Sequence, residues 1–122
     1  MSKKTILIID DSASMRAILG DMLVDAGYNV VEAIDGYAGL GLVKETKFDL
    51  IITDLTMPVL DGISFVREAK KLPSCKFVPI VVLTGEEDTA KIDEAKKAGA
   101  STWLAKPFKE KQLRAVLQMV IG

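Results

Sequence analysis

Along the chain, short runs of β-branched and other apolar residues alternate with segments whose apolar positions recur every three or four residues. Thr5–Ile9 is apolar almost without a break, as expected for a strand covered on both faces. Met15, Ile18, Leu19, Met22 and Leu23 then fall at i, i+3, i+4, i+7 and i+8. That stripe predicts an amphipathic helix from Ser14 to Ala26, stopped by Gly27. A second strand is expected at Asn29–Ala33, followed by a weaker helix from Asp35 to Glu45. Gly39 and Gly41 each cost that helix about 1 kcal/mol relative to Ala, which makes it the element expected to be least stable. The third strand is expected at Asp49–Thr53, and a loop from Asp54 to Asp61 leads to a helix from about Gly62 to Leu72. Strand four is expected at Val78–Leu83 despite Pro79 near its start. A helix from about Asp88 to Ala98 ends at Gly99, and strand five is expected at Ser101–Ala105. The last helix opens near Lys109, with Leu113, Val116, Leu117, Val120 and Ile121 on one face.

Five β-α units in a row imply an α/β fold, a five-stranded parallel sheet with helices on both sides. In such sheets ligands bind beyond the carboxyl ends of the strands, where the strand order reverses. The doubly wound, flavodoxin-like order 2-1-3-4-5 belongs to the known fold class rather than to these residues alone. It sets strands one and three side by side. Polar residues stand where four of the runs end: Asp10-Asp11, Asp54, Thr84 and Lys106. Each has an ordinary explanation. Asp10, Asp11, Ser12 and Ser14 are good helix caps, an Asp after a strand commonly opens a loop, Thr84 can cap the next helix, and a lysine before Pro107 is commonly a surface residue. Together, at the ends of neighbouring strands, they are harder to dismiss. Carboxylates in contact repel and raise one another's pKa, and a hard cation with oxygen ligands, in cells usually Mg²⁺, relieves that repulsion.

Composition narrows the chemistry. A chain of 122 residues, 49% apolar and 27% charged, is expected to form one domain over residues 1–122. It contains no histidine, which excludes His-dependent triads, HExxH zinc sites and a phosphohistidine carrier. Net charge is −1, unlike the basic domains that bind nucleic acid broadly. Acid gathers in the first half: residues 1–61 carry 5 basic and 10 acidic side chains, against 11 and 7 in residues 62–122. Apolar runs are too short to span a membrane, and the Met-Ser-Lys-Lys start lacks the features of a secretory leader. A cytoplasmic location is expected, with the single Cys75 reduced.

Asp10-Asp11 after strand one, D-x-x-M-P from Asp54 with Gly62 four residues beyond Pro58, Thr84-Gly85 after strand four, and Lys106-Pro107-Phe108 after strand five resemble the receiver domains of response regulators. More narrowly the chain is similar to the stand-alone CheY-like type, over its whole length. The resemblance implies that Asp54 accepts a phosphoryl group from a phosphohistidine on a sensor histidine kinase or phosphotransfer protein. It implies that Asp10, Asp11, Asp54 and the backbone carbonyl of Thr56 hold Mg²⁺, or Mn²⁺ in its place. Thr84 and Lys106 would bind the phosphoryl oxygens, and the Lys106–Pro107 bond would be cis. After phosphorylation Thr84 would draw inward and the aromatic residue at Trp103, where relatives carry Tyr or Phe, would respond. Gly85 stands where alanine is commoner. Thr56 and Glu86 would tune the lifetime of the phosphoryl group. The output face would be helix four, strand five and helix five, made basic by Lys91, Lys109, Lys111 and Arg114. With nothing following Gly122, a downstream protein target would be engaged in trans, as in chemotaxis. Such a chain is a phosphoacceptor switch with only self-catalysed transfer and hydrolysis, not a turnover enzyme. It would be a monomer, with a dimer allowed on phosphorylation, and would have no nucleic-acid or membrane partner.

Rival readings are a relay intermediate passing phosphate onward and a receiver acting without phosphorylation. A flavin or dinucleotide carrier would want a glycine-rich phosphate loop after strand one, where this chain has two carboxylates. A haloacid-dehalogenase-like phosphatase would want D-x-D, but Ser12 and Thr56 stand two residues after Asp10 and Asp54.

Overall fold

The structure, a computed structural model, describes residues 3–57, 59–85 and 89–121. Pro58, Glu86, Asp88 and Gly122, which figure in the expectations above, lie outside the described residues. The strands are β1 (Thr5–Ile9), β2 (Asn29–Ala33), β3 (Leu50–Asp54), β4 (Ile80–Thr84) and β5 (Thr102–Ala105). The helices are α1 (Ala13–Asp25), α2 (Gly36–Glu45), α3 (Gly62–Ala69), α4 (Thr89–Ala98) and α5 (Glu110–Val120). All strand pairs are parallel, as the alternation predicts, and their order is β2-β1-β3-β4-β5, the order of the flavodoxin-like fold class.

Because successive strand residues face opposite sides, the apolar runs feed two cores. Leu7, Ile9, Ile51 and Val82 pack with Val43, Phe65, Val66 and Ala95 beneath α2, α3 and α4. Ile6, Ile8, Leu50, Ile52, Val81 and Leu83 pack with Leu19, Leu23, Leu113 and Leu117 of α1 and α5. The central strands are covered on both sides, which is why their sequences do not alternate. Helix starts are fixed by local acceptors: Ser12 Oγ takes the Met15 N–H (3.2 Å), Asp35 Oδ1 that of Ala38 (2.8 Å) and Asp61 Oδ1 that of Ser64 (2.8 Å). These are ordinary capping bonds.

Four expectations need correction. Ile18 is 51% exposed; it sits about 100° around the helix from Leu19, so turning Leu19 and Leu23 into the core swings it to the flank. α3 ends at Ala69 instead of Leu72. Pro73 excludes Leu72 from helical geometry, and Leu72 is extended (φ −84°, ψ 133°) ahead of a single 3₁₀ turn at Pro73–Cys75. Lys70 Nζ straps that turn by donating to the carbonyls of Cys75 (3.2 Å) and Val78 (2.6 Å). β4 starts at Ile80 because Pro79 has no N–H to give, although its carbonyl accepts from Ile51 N (3.1 Å). β3 extends through Asp54, which pairs with Leu83, so the acidic residue belongs to the strand itself.

The glycines of α2 are not equivalent. A Cβ at Gly39 would lie 2.5 Å from Ile9 Cδ1 and 3.1 Å from the Phe65 ring, whereas one at Gly41 would meet nothing within 4 Å. Gly39 lets α2 approach β1 and α3; Gly41 only weakens the helix. Gly41→Ala is therefore expected to stabilise the protein by about 1 kcal/mol, and Gly39→Ala to destabilise it by about 1–3 kcal/mol through overpacking. Urea denaturation of the two variants checks both signs.

Candidate functional site

Strand order decides which chain segments meet. Asp10 and Asp11 follow β1, Asp54 closes β3, Thr84 closes β4 and Lys106 follows β5, all at the carboxyl edge of one parallel sheet. One carboxylate oxygen from each of Asp10, Asp11 and Asp54 lies within 4.8 Å of the others. Three carboxylates and the Lys106 ammonium leave this cup with two formal negative charges.

Asp10 is completely buried. Its N–H donates to the Ala33 carbonyl (3.2 Å), and its Oδ1 accepts from Ser12 N (2.9 Å). Its Oδ2 is buried with no hydrogen-bond partner, and Lys106 Nζ stands off at 3.9 Å, at the limit of an ion pair. Burial pushes the Asp10 carboxyl above its ordinary pKa and the Ser12 N–H pulls it back; the Asp54 charge raises it, Lys106 lowers it, and Asp11 raises it again. An acid with a raised folded pKa holds its proton more tightly folded than unfolded. The stability it confers is present while it is protonated in both states, and is lost as pH rises from the ordinary aspartate range through the folded value. Once ionised, Asp10 is therefore a cost to the fold. A divalent cation with oxygen ligands satisfies an orphaned carboxylate oxygen and cancels two negative charges, so this residue set fits Mg²⁺.

Asp54 is 6% exposed. Its Oδ2 lies 3.2 Å from Lys106 Nζ and its Oδ1 accepts a long bond from Thr56 N (3.4 Å). The start of α3 is wedged beneath it: Gly62 N donates to the Leu55 carbonyl at 2.9 Å, and a Cβ at Gly62 would run into the Asp54 carbonyl oxygen and Leu55 Cα. Thr84, 5% exposed, is tied to Lys106 through the backbone, its carbonyl accepting from Lys106 N at 2.7 Å. The Lys106–Pro107 peptide is cis, as the resemblance implied.

Trp103 is not in the cup. It pairs with Val82 across the β4–β5 ladder and packs, half-buried, against the core beneath α2–α4. Thr56 is exposed at the rim. A separate cleft of about 250 Å³ between α3 and α4 shares Thr56 with the cup but is otherwise lined by residues such as Arg67, Lys91 and Glu94. Lys91, Lys109, Lys111 and Arg114 are all exposed, with Arg114 paired to Glu110 at 3.5 Å. Two residues that the sequence reading did not single out border the cup. Arg16 donates to the Asp10 carbonyl (2.7 Å) and pairs with Glu32 Oε1 (3.0 Å). The available signal was a lone arginine one turn inside a helix opened by Asp-Asp-Ser.

Comparison with known proteins agrees with this geometry. The model of the response regulator receiver domain matches residues 6–118. The chain belongs to the response regulator receiver family. Chemotaxis protein CheY4 of Vibrio cholerae superimposes on this receiver with a TM-score of 0.94 and 40% identity, over 98% of this chain and 100% of that one. The CheY of Thermotoga maritima is 38% identical over 96% of this chain and 97% of its own. The receiver domain of the sensor histidine kinase PA1611 from Pseudomonas aeruginosa has a TM-score of 0.92 and 32% identity, with 99% of each chain covered, and that structure has a magnesium ion coordinated in its active site cleft.

Neutralising the orphaned group should relieve the metal-free receiver. Asp10→Asn is expected to raise the melting temperature in EDTA at pH 7 by several degrees, corresponding to about 1–3 kcal/mol. Excess Mg²⁺ should stabilise only the wild type, by about 2.7 kcal/mol at a hundredfold excess over its dissociation constant. Thermal melts with and without Mg²⁺ check both halves.

Proposed function

We propose that this receiver accepts a phosphoryl group on Asp54 from the phosphohistidine of a sensor kinase or phosphotransfer protein, and that the modified chain controls a protein target in trans, in a chemotaxis-type circuit. We take residues 1–122 as a single receiver domain working in the cytoplasm; among the described residues no helix is long and apolar enough to cross a membrane. The observation that carries the reading is the ion pair of buried Asp54 with half-buried Lys106 at 3.2 Å, set beside a second buried aspartate with an unpartnered oxygen.

Asp10, Asp11, Asp54 and the Thr56 carbonyl would hold Mg²⁺, which when bound neutralises charge on the transferring phosphoryl oxygens. The chain's own groups supply the rest. An Asp54 carboxylate oxygen forms the new P–O bond as the P–N bond to the imidazole breaks. The electron pair of that bond stays on the imidazole, which takes up a proton. Lys106, already in contact with Asp54, pairs with the phosphoryl oxygens as their charge builds, the main requirement of in-line transfer. Burial of Asp54 excludes bulk water around this charge and strengthens each contact.

The output follows from the ladder. Thr84 hydroxyl donation to the new phosphoryl group would pull the end of β4 inward. Thr84 holds Lys106 through a 2.7 Å backbone bond, and Val82 pairs with Trp103. A shift of β4 therefore moves β5 and the basic surface of α4 and α5, which carries Lys91, Lys109, Lys111 and Arg114.

Acetyl phosphate with Mg²⁺ is expected to add one phosphoryl group to the wild type, seen by intact mass, and none to Asp54→Asn; equal modification of the variant would move the chemistry to another residue. In Lys106→Ala, Mg²⁺ binding should persist while the phosphorylation-dependent change in emission of Trp103, the one tryptophan, is lost. A variant whose emission responds as the wild type does would remove Lys106 from the relay.

A further inference from the structure

The backbone of Asp10 is held on both sides. Its N–H donates to Ala33 O of β2 at 3.2 Å, and its carbonyl accepts from the Arg16 guanidinium at 2.7 Å. The side chain is held too, through Oδ1 to Ser12 N at 2.9 Å, which leaves Oδ2 aimed at the cup without a donor. Arg16 is itself fixed twice. Its N–H closes the first turn of α1 on Ser12 O at 3.0 Å, and its Nε pairs with Glu32 Oε1 of β2 at 3.0 Å. The arginine side chain is only 16% exposed while Glu32 is 50% exposed. The planar guanidinium fork therefore spans α1, β2 and the carbonyl between the two cup aspartates, a task its rigid donor geometry suits and an ammonium's does not.

We propose that Arg16 is a positioning residue for the cation site: it locks the Asp10 carbonyl, and with it the Asp10–Asp11 peptide, so that both carboxylates are aimed before the cation arrives. The inference rests on the Mg²⁺ reading above.

Two physical effects of Arg16 have opposite signs, which makes the idea testable. Its positive charge, close to the cup, weakens cation binding, so loss of charge alone would tighten it. Its hydrogen bonds preorganise two ligands, so loss of the fork weakens binding. Groups that orient metal ligands are typically worth 10–100-fold in affinity, and the exposed Glu32 already offsets much of the arginine's charge. The positioning effect is expected to win.

The test titrates Mn²⁺ into the metal-free protein, following free Mn²⁺ by its electron paramagnetic resonance signal, and repeats the measurement with Mg²⁺ in competition. Arg16→Ala and Arg16→Lys are compared with the wild type, with melting temperatures recorded alongside. Both variants are expected to bind about tenfold more weakly, and to reach wild-type phosphorylation by acetyl phosphate once Mg²⁺ is raised to saturation. Arg16→Lys keeps the charge and loses the fork, so it carries the test even if Arg16→Ala folds poorly. Lysine restoring wild-type affinity, alanine binding more tightly, or a defect that persists at saturating Mg²⁺ would each overturn the proposal. Failure of the wild type to bind either ion would instead overturn the Mg²⁺ reading on which it stands.

Discussion

Three carboxylates within 4.8 Å of one another, opposed by one ammonium, are the constraint around which this receiver is arranged. No folded chain gathers such groups for stability. Repulsion and desolvation both oppose it, and burial already pushes Asp10 toward its neutral form. The fold tolerates the strain because the groups sit at the ends of β1, β3 and β5, whose own residues are anchored in two apolar cores. A parallel sheet with a strand-order reversal between β1 and β3 brings segments more than forty residues apart to one edge. Stability comes from the sheet, and the stored repulsion becomes binding energy for a divalent cation.

The same backbone that gathers the charges links them to one another. Asp54 is the last residue of its strand and pairs with Leu83, directly before Thr84. Thr84 holds Lys106 through its carbonyl. Asp54, Leu83, Thr84 and Lys106 are thus joined in a short run of backbone-bonded neighbours with the parallel ladder behind them. Gly62 keeps α3 pressed against the Asp54–Leu55 peptide, which limits how far Asp54 can move. The half-buried Trp103 pairs with Val82 of β4 and packs on the α2–α4 side of the sheet, outside the cup.

Much of this was legible along the chain. The uninterrupted apolar runs of β1, β3 and β4 announced strands covered on both faces, and Asp10, Asp11, Thr84 and Lys106 stand at strand ends as expected, while Asp54 is the last residue of its strand instead of the first of a loop. What escaped had tertiary causes. Pro73 acts on Leu72, not on itself, so the end of α3 moved. Leu19 and Leu23 chose the face of α1, which turned Ile18 outward. Arg16 carries no motif of its own; its meaning lies in a carbonyl six residues earlier and a carboxylate on another strand. Gly39 and Gly41 look alike in sequence and differ only in what stands opposite them.

The central claim is that the acidic edge is a single preorganised cation site that includes the phosphoacceptor. Crystals of the metal-free protein soaked in Mn²⁺ and recorded at the manganese absorption edge test it directly. The account predicts one anomalous peak in contact with carboxylate oxygens of Asp10, Asp11 and Asp54 together. Clear density for the three side chains with no peak among them at saturating Mn²⁺, or an ion that leaves Asp54 out of its coordination sphere, would contradict it.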